Sequence, residues 1–130
     1  MSRGDSLLRV APVLFLGAIG ALTWLTLSRF VRYEVQGASM SPALLPGDFI
    51  MVDRMAYRGR MPRPGEIVLA PDPRQRERLL VKRVERVDIH GSVWLLGDNS
   101  EESTDSRQFG AVPREDVVGR VRWRYWPPIR

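Results

Sequence analysis

With 130 residues, a net charge of +5 and 44% apolar residues, the chain can form one small domain and is too apolar for a disordered protein. It has no cysteine, which excludes disulfides, thiolate metal sites and a cysteine nucleophile. The basic charge suits either nucleic acid or an anionic lipid surface as a partner. The only histidine, His90, lies in a predicted hairpin turn, a poor place for the oriented base of a serine–histidine–aspartate triad.

A run of nineteen residues without a charge, 10–28, lies between Arg9 and Arg29. About twenty apolar residues are needed to cross a bilayer as a helix. The run is longer than the core of a usual secretory signal and lacks a clear cleavage site after it, which favours a retained anchor over a cleaved signal. Arginines flank both ends, so charge does not set the orientation. We predict a tail at 1–9, a membrane anchor at 10–28 and one domain at 29–130.

Short runs of alternating or β-branched residues, separated by proline and glycine, follow the anchor. They predict a mostly β fold, a small twisted antiparallel sheet or barrel of five or six strands. The predicted strands are 31–35, 49–54, 67–70, 79–89, 93–96 and 117–126, with a polar, solvated connection at 71–78 and a turn-rich loop at 97–107.

Ser39 lies soon after the anchor in a stretch of small residues that also contains Gly37 and Met40. Nearby prolines prevent a long helix, so we predict a loop or a very short helical turn. The small residues before Ser39 leave room for a substrate strand and for a backbone oxyanion hole, and Met40 would be a hydrophobic floor. A plain small-residue loop after an anchor is equally compatible with this stretch.

Lys82 is the only lysine among twenty basic residues. Strand alternation places Leu80, Lys82 and Val84 on one face, where apolar neighbours would desolvate the amine and lower its pKa. A lysine general base that works near neutral pH needs that shift, whereas arginine stays protonated. The alternative is a lysine that extends its amine to water. The working hypothesis is a serine nucleophile, Ser39, with Lys82 as its base.

A polar loop near the end of the chain contains Asp98 and Asp105. Together with Asp48 these carboxylates could suggest an oxygen-ligand metal site, but their spacing does not fit a calcium loop, and we predict no metal. Asp105 and Arg107 are predicted to lock the loop by a partly buried ion pair. Ser103 could then orient the lysine amine.

Several motifs, taken in order, resemble those of the type I signal peptidases. They are Gly37-Ala38-Ser39-Met40-Ser41-Pro42, Pro46-Gly47-Asp48, Lys82-Arg83-Val84, Gly97-Asp98-Asn99, and Ser103-Thr104-Asp105-Ser106-Arg107 with Gly110. The resemblance implies a signal-peptidase-like catalytic domain with Ser39 as nucleophile and Lys82 as general base. It also implies that Ser103 hydrogen-bonds the lysine and that Asp105 and Arg107 support the site. Met40 and Pro42 are the predicted substrate-binding residues.

The resemblance further implies an enzyme that is anchored in the cell membrane, with its catalytic domain on the extracytoplasmic side. Such an enzyme cleaves exported precursors after small residues at the −1 and −3 positions, without a metal or other cofactor. The expected partners are precursor proteins and the lipid bilayer, and nucleic acid is not expected. A partner subunit is left open.

This chain departs from the family pattern at two positions. Ser100 stands where the family often has arginine, and Gly37 stands where some members carry a hydroxyl, so an oxyanion hole here would depend on backbone amides. The compact form resembles the mitochondrial inner-membrane peptidases and the small proteases that mature nickel-type superoxide dismutase precursors. The alternatives are a protease dedicated to such a precursor, a self-cleaving protein of the LexA type, and a membrane-anchored β-barrel binding module without catalysis.

Overall fold

The computed structural model describes residues 5–127, with side chains described from residue 12 onward. Its first element is a helix, α1 (Asp5–Arg29). Within the described residues, Pro12–Arg29 is the one helical window long and apolar enough to span a membrane, with a mean hydropathy of 1.3 and no part of it buried. The helix continues one residue beyond the predicted anchor, and residues 1–4 of the predicted tail lie outside the described part.

Three hydroxyl groups in α1 are satisfied within the helix itself, and that of Ser28 donates to the Leu25 carbonyl at 3.0 Å. Thr23 and Thr26 donate to the carbonyl groups four residues earlier, at 2.9 and 2.7 Å. Such bonds let a hydroxyl lie on an apolar helix without a partner from outside. The chain divides into two compact units between Phe30 and Val31, and Phe30 is the first residue after α1. The predicted limits of the tail, anchor and catalytic domain stay a prediction.

Seven strands form one sheet in the order β1-β2-β7-β3-β4-β5-β6, and the pairings from β2 to β6 are antiparallel. The strands are β1 (Phe30–Glu34), β2 (Phe49–Asp53), β3 (Ile67–Asp72), β4 (Gln75–Val87), β5 (Ser92–Leu96), β6 (Val112–Pro113) and β7 (Gly119–Trp126). A short helix, α2 (Ser106–Phe109), follows β5. The prediction of a mostly β antiparallel sheet after an apolar helix is confirmed, and the sheet is open, with β1 and β6 at its edges.

The structure corrects the predicted elements in three places. Strand β4 begins at Gln75, four residues before the predicted strand. The prediction missed these four residues because they are polar and exposed and show no alternation. The predicted connection at 71–78 therefore shortens to 73–74. The sheet has seven strands rather than five or six, and α2 was not predicted. Strand β6 has only two residues and α2 only four, too few for either to show a periodicity in the sequence.

The sheet is covered on both faces by apolar side chains. Val68 and Leu69, adjacent on β3, are both buried and belong to different core clusters. The first cluster contains Val35, Met40, Leu44, Ile50, Val52, Leu69 and Val81, and the second contains Tyr57, Val68, Ala70, Val84, Val93, Leu95 and Val112. Lys82 pairs with Val68 across β3 and β4, so its side chain leaves the sheet on the face of the second cluster.

Candidate active site

Ser39 lies in a tight turn between β1 and β2, as the prolines predict. The Ser41 amide donates to the Ala38 carbonyl at 3.0 Å, and the Leu44 amide donates to the Met40 carbonyl at 2.9 Å. Met40 and Leu44 are buried in the first core cluster. Their burial anchors the turn from below, because their apolar side chains gain free energy on leaving water. Ser39 itself is only partly buried.

Whereas Ser39 lies in a turn, Lys82 lies on β4, a long strand that pairs with β3 on one side and β5 on the other. Its neighbour across the sheet is Val68 on β3, the pairing with β5 begins at the next residue, Arg83, and Lys82 is 3% exposed. The Lys82 Nζ donates a hydrogen bond to Ser39 Oγ at 2.6 Å. The structure therefore brings together two side chains that are 43 residues apart in the chain.

The environment of Lys82 favours its neutral form. Burial lowers the pKa of the Lys82 amine from its ordinary value of 10.5 to about 8, the carboxylate of Asp105 opposes that shift, and the charges of Arg78 and Arg107 reinforce it. Desolvation disfavours the ammonium form because an isolated charge loses its hydration in an apolar surround. With a pKa near 8, roughly one amine in ten is neutral at pH 7.

A glycine and an asparagine after β5 hold the backbone of Ser39. The Asn99 amide donates to the Ser39 carbonyl at 2.8 Å. A Cβ atom on Gly97 would lie 2.1 Å from Ser103 Oγ and 2.7 Å from the Ser39 carbonyl oxygen. The close approach of three backbone segments therefore requires glycine at this position. The Gly97-Asp98-Asn99 motif is visible in the sequence, but nothing near it in the sequence indicates that Gly97 contacts Ser39 and Ser103.

Asp105 is the centre of the hydrogen bonds that fix this loop. Its carboxylate accepts from the Gly97 amide at 2.9 Å, from Ser103 Oγ at 2.6 Å and from the Arg107 guanidinium at 2.6 Å. It also caps α2, together with the Gln108 side chain. Burial alone would raise the pKa of Asp105, but these donors outweigh it and hold the pKa well below the usual range.

Of the predicted supporting residues, three lie together and one lies apart from them. Asp105 and Arg107 form an ion pair, with the carboxylate fully buried and the guanidinium partly exposed, and Ser103 donates to the same carboxylate. Gly37 is exposed, has a φ of 73° and lines the cleft described below. The assignment of Ser103 to the lysine amine stays a prediction, since its bond here is to Asp105.

Ser39 and Lys82 open into a cleft of about 550 Å³ that includes space open to solvent. One wall comes from the segment after β1 and the opposite wall from β4. The lining residues are Tyr33, Gln36, Gly37, Ala38, Ser39, Arg74, Arg78, Leu79, Leu80, Val81, Lys82, Glu102 and Thr104. Arg74 and Arg78 were not predicted, because 71–78 reads as a solvated connection.

The two predicted substrate-binding residues do not line this cleft. Met40 is 1% exposed and packs in the first core cluster, and Pro42 is exposed. Their contact with a substrate stays a prediction. Within residues 5–127, no three acidic or histidine side chains are grouped in a way that could hold a metal ion.

The family model for signal peptidase, peptidase S26, matches residues 7–88 and 85–126. This chain belongs to that family. The resemblance inferred from the motifs is confirmed, and the chain is a protease of the signal peptidase type.

Several curated proteins are similar to this chain. The mitochondrial ATP-independent inner membrane protease subunit 1a of Arabidopsis thaliana is 34% identical over 117 residues, covering 73% of this chain and 70% of the relative. The mitochondrial inner membrane protease subunit 2 of Danio rerio is 30% identical over 118 residues, covering 75% of this chain and 64% of the relative. The chloroplastic thylakoidal processing peptidase 1 of Arabidopsis thaliana is 35% identical over 85 residues, which is only 23% of its own length.

Proposed function

We propose that this protein is a membrane-anchored serine endopeptidase that removes signal or leader peptides from exported precursors, with Ser39 as nucleophile and Lys82 as general base. The observation that carries the proposal is the 2.6 Å hydrogen bond between Lys82 Nζ and Ser39 Oγ inside an open cleft. Membership of the signal peptidase family supports the reaction class.

In the proposed reaction, the neutral Lys82 amine accepts the proton of the Ser39 hydroxyl as Oγ attacks the scissile carbonyl carbon. The tetrahedral intermediate then collapses, the carbon–nitrogen bond breaks, and the lysine ammonium returns the proton to the leaving amine. Water, deprotonated by the same amine, then attacks the acyl carbon, the ester bond to Ser39 Oγ breaks, and the ammonium returns the proton to Oγ as the second product leaves. The charge that develops on the carbonyl oxygen would be stabilised by backbone amides of the turn around Ser39, beside Gly37.

The anchor suits a substrate that is itself bound to a membrane. Ser39 follows the last predicted anchor residue, Ser28, by eleven residues, so even an extended chain holds it within about 40 Å of the bilayer. Enzyme and precursor are then confined to one surface, which raises their effective concentration. We place the enzyme in the cell membrane as a single-pass protein, with its catalytic domain on the extracytoplasmic side.

Cleavage of a precursor with an Ala-x-Ala site by the purified full chain in detergent tests the proposal. We expect a cut after the second alanine, identified by sequencing the amino terminus of the product, and no product with Ser39→Ala. A dedicated protease for a nickel-type superoxide dismutase precursor is the alternative with the same chemistry, and that precursor is the second substrate. If the wild type cuts neither, the proposed removal of signal or leader peptides from such precursors is contradicted and the binding-module alternative gains support.

The rate should depend on pH through the Lys82 amine. Because burial lowers its pKa to about 8 and the neutral form is the base, kcat/KM should rise with pH and level off above about 8. Below that value it should fall by about tenfold per pH unit. The measurement is kcat/KM from pH 5.5 to 9.5, with circular dichroism at each pH as a check on folding. A profile that stays flat down to pH 6 would contradict the role of Lys82.

A further inference from the structure

Three arginines follow one another at alternate positions where β3 turns into β4, and two of them have carboxylate partners. Arg74 pairs with Asp72 at 2.8 Å, and Arg76 pairs with Asp116 at 2.9 Å. Arg78 has no ion-pair partner among the described residues, although it lines the cleft that contains Ser39 and Lys82. The cation nearest the proposed dyad along this segment is therefore the one without an ion-pair partner.

The charge of Arg78 acts inside the cleft. It lowers the pKa of both Tyr33 and Lys82, which line the same space, while burial is the largest influence on each. It also contributes, after Arg74, to lowering the pKa of Asp72, although the ion pair of Asp72 is with Arg74. Glu102 also lines the cleft but makes no ion pair with Arg78. A guanidinium without an ion-pair partner on a concave wall offers a fork of donors that matches a carboxylate.

We propose that Arg78 recognises an acidic side chain of the precursor, close in sequence to the bond that is cut. This inference rests on the proposed function of the cleft. Arg78 precedes Lys82 by four residues on β4, a distance of about 13 Å at the usual rise per residue of a strand. The length of the arginine side chain shortens that gap, so an extended substrate would present the acidic residue two to four positions from the scissile bond.

A matched set of peptides tests the proposal. Each peptide carries the same Ala-x-Ala site and one variable residue, placed two, three or four positions to either side of the scissile bond, as glutamate, glutamine or lysine. The assay uses the full chain in a neutral detergent without anionic lipid, so that the peptide supplies the only carboxylate under test. Wild type is compared with Arg78→Gln and Arg78→Glu, and Arg76→Gln is the matched control on the same strand.

At one or more positions, we expect wild type to cleave the glutamate peptide with a kcat/KM about fivefold above that of the glutamine peptide, the effect of one partly exposed ion pair. Arg78→Gln should remove this preference, Arg78→Glu should turn it toward lysine, and Arg76→Gln should keep it. Equal cleavage of all peptides by wild type, or a glutamate preference that survives Arg78→Gln, would overturn the inference alone. No cleavage of any peptide by wild type would overturn the proposed function with it.

Discussion

Replacing Lys82 with arginine should lower kcat/KM by about 10³-fold or more, the range expected when a general base is removed from a nucleophile that depends on it. Arginine keeps a positive charge close to Ser39 but does not release its proton near neutral pH. A site that only binds an anion would keep its function in this variant. Peptide cleavage therefore separates a base from a plain cation at this position.

The chain offers a chemical control for this variant, because it has no cysteine and no other lysine. Lys82→Cys should be inactive, and alkylation with bromoethylamine should rebuild an amine of nearly the same length at that position alone. We expect the treated variant to regain cleavage, with a pH profile set by the new amine. Full activity in Lys82→Arg, or in Lys82→Cys before alkylation, would remove the lysine from the mechanism.

Adding one methyl group at Gly97 should also have a large effect on activity. The new Cβ of Gly97→Ala would lie 2.1 Å from Ser103 Oγ and 2.7 Å from the Ser39 carbonyl oxygen, so these segments must separate. A displacement of about 1 Å at a reacting group can cost about 10²-fold in rate. We expect kcat/KM to fall by that factor, and the free energy of unfolding to fall by about 1–3 kcal/mol through overpacking.

Gly119→Ala is the matched control for overpacking alone. Its Cβ would lie 2.4 Å from the Asp53 carbonyl oxygen, in the pairing between β2 and β7, and Gly119 is not among the residues lining the cleft. It should lower the melting temperature, and kcat/KM per folded molecule should fall much less than in Gly97→Ala. Gly59→Ala meets nothing within 4 Å and should change neither quantity. Equal activity per folded molecule in Gly97→Ala and wild type would show that the contact does not position Ser39.

Local patterns predicted the burial of Lys82 but not all of its surroundings. Alternation along β4 correctly placed Leu80, Lys82 and Val84 on one buried side, because successive side chains of a strand point to opposite faces of the sheet. The same rule fails at 75–78, where both faces are exposed and every residue is polar. Arg78 therefore read as part of a solvated connection rather than of a strand that lines the cleft.

Periodicity in the sequence does not predict contacts between segments that are far apart in the chain. The order of the motifs was sufficient to indicate the family, but the fit of Gly97 against Ser39 and Ser103 depends on three segments that meet only in the folded chain. The hydrophobic character of Met40 suggested a substrate floor, whereas the turn at Ser39 directs that side chain into the core. Hydrophobicity alone does not distinguish these two positions.

The order of strands has a consequence for when this protein could begin to cut. Within the described residues, the hydrogen-bonded ladder joins β1 and β2 to β3 and β4 only through β7. Ser39 belongs to the first pair and Lys82 to the second, so a nascent chain that has already emerged beyond both residues still lacks the strand between their halves. Proteolytic competence would then be expected only after the ribosome has delivered β7.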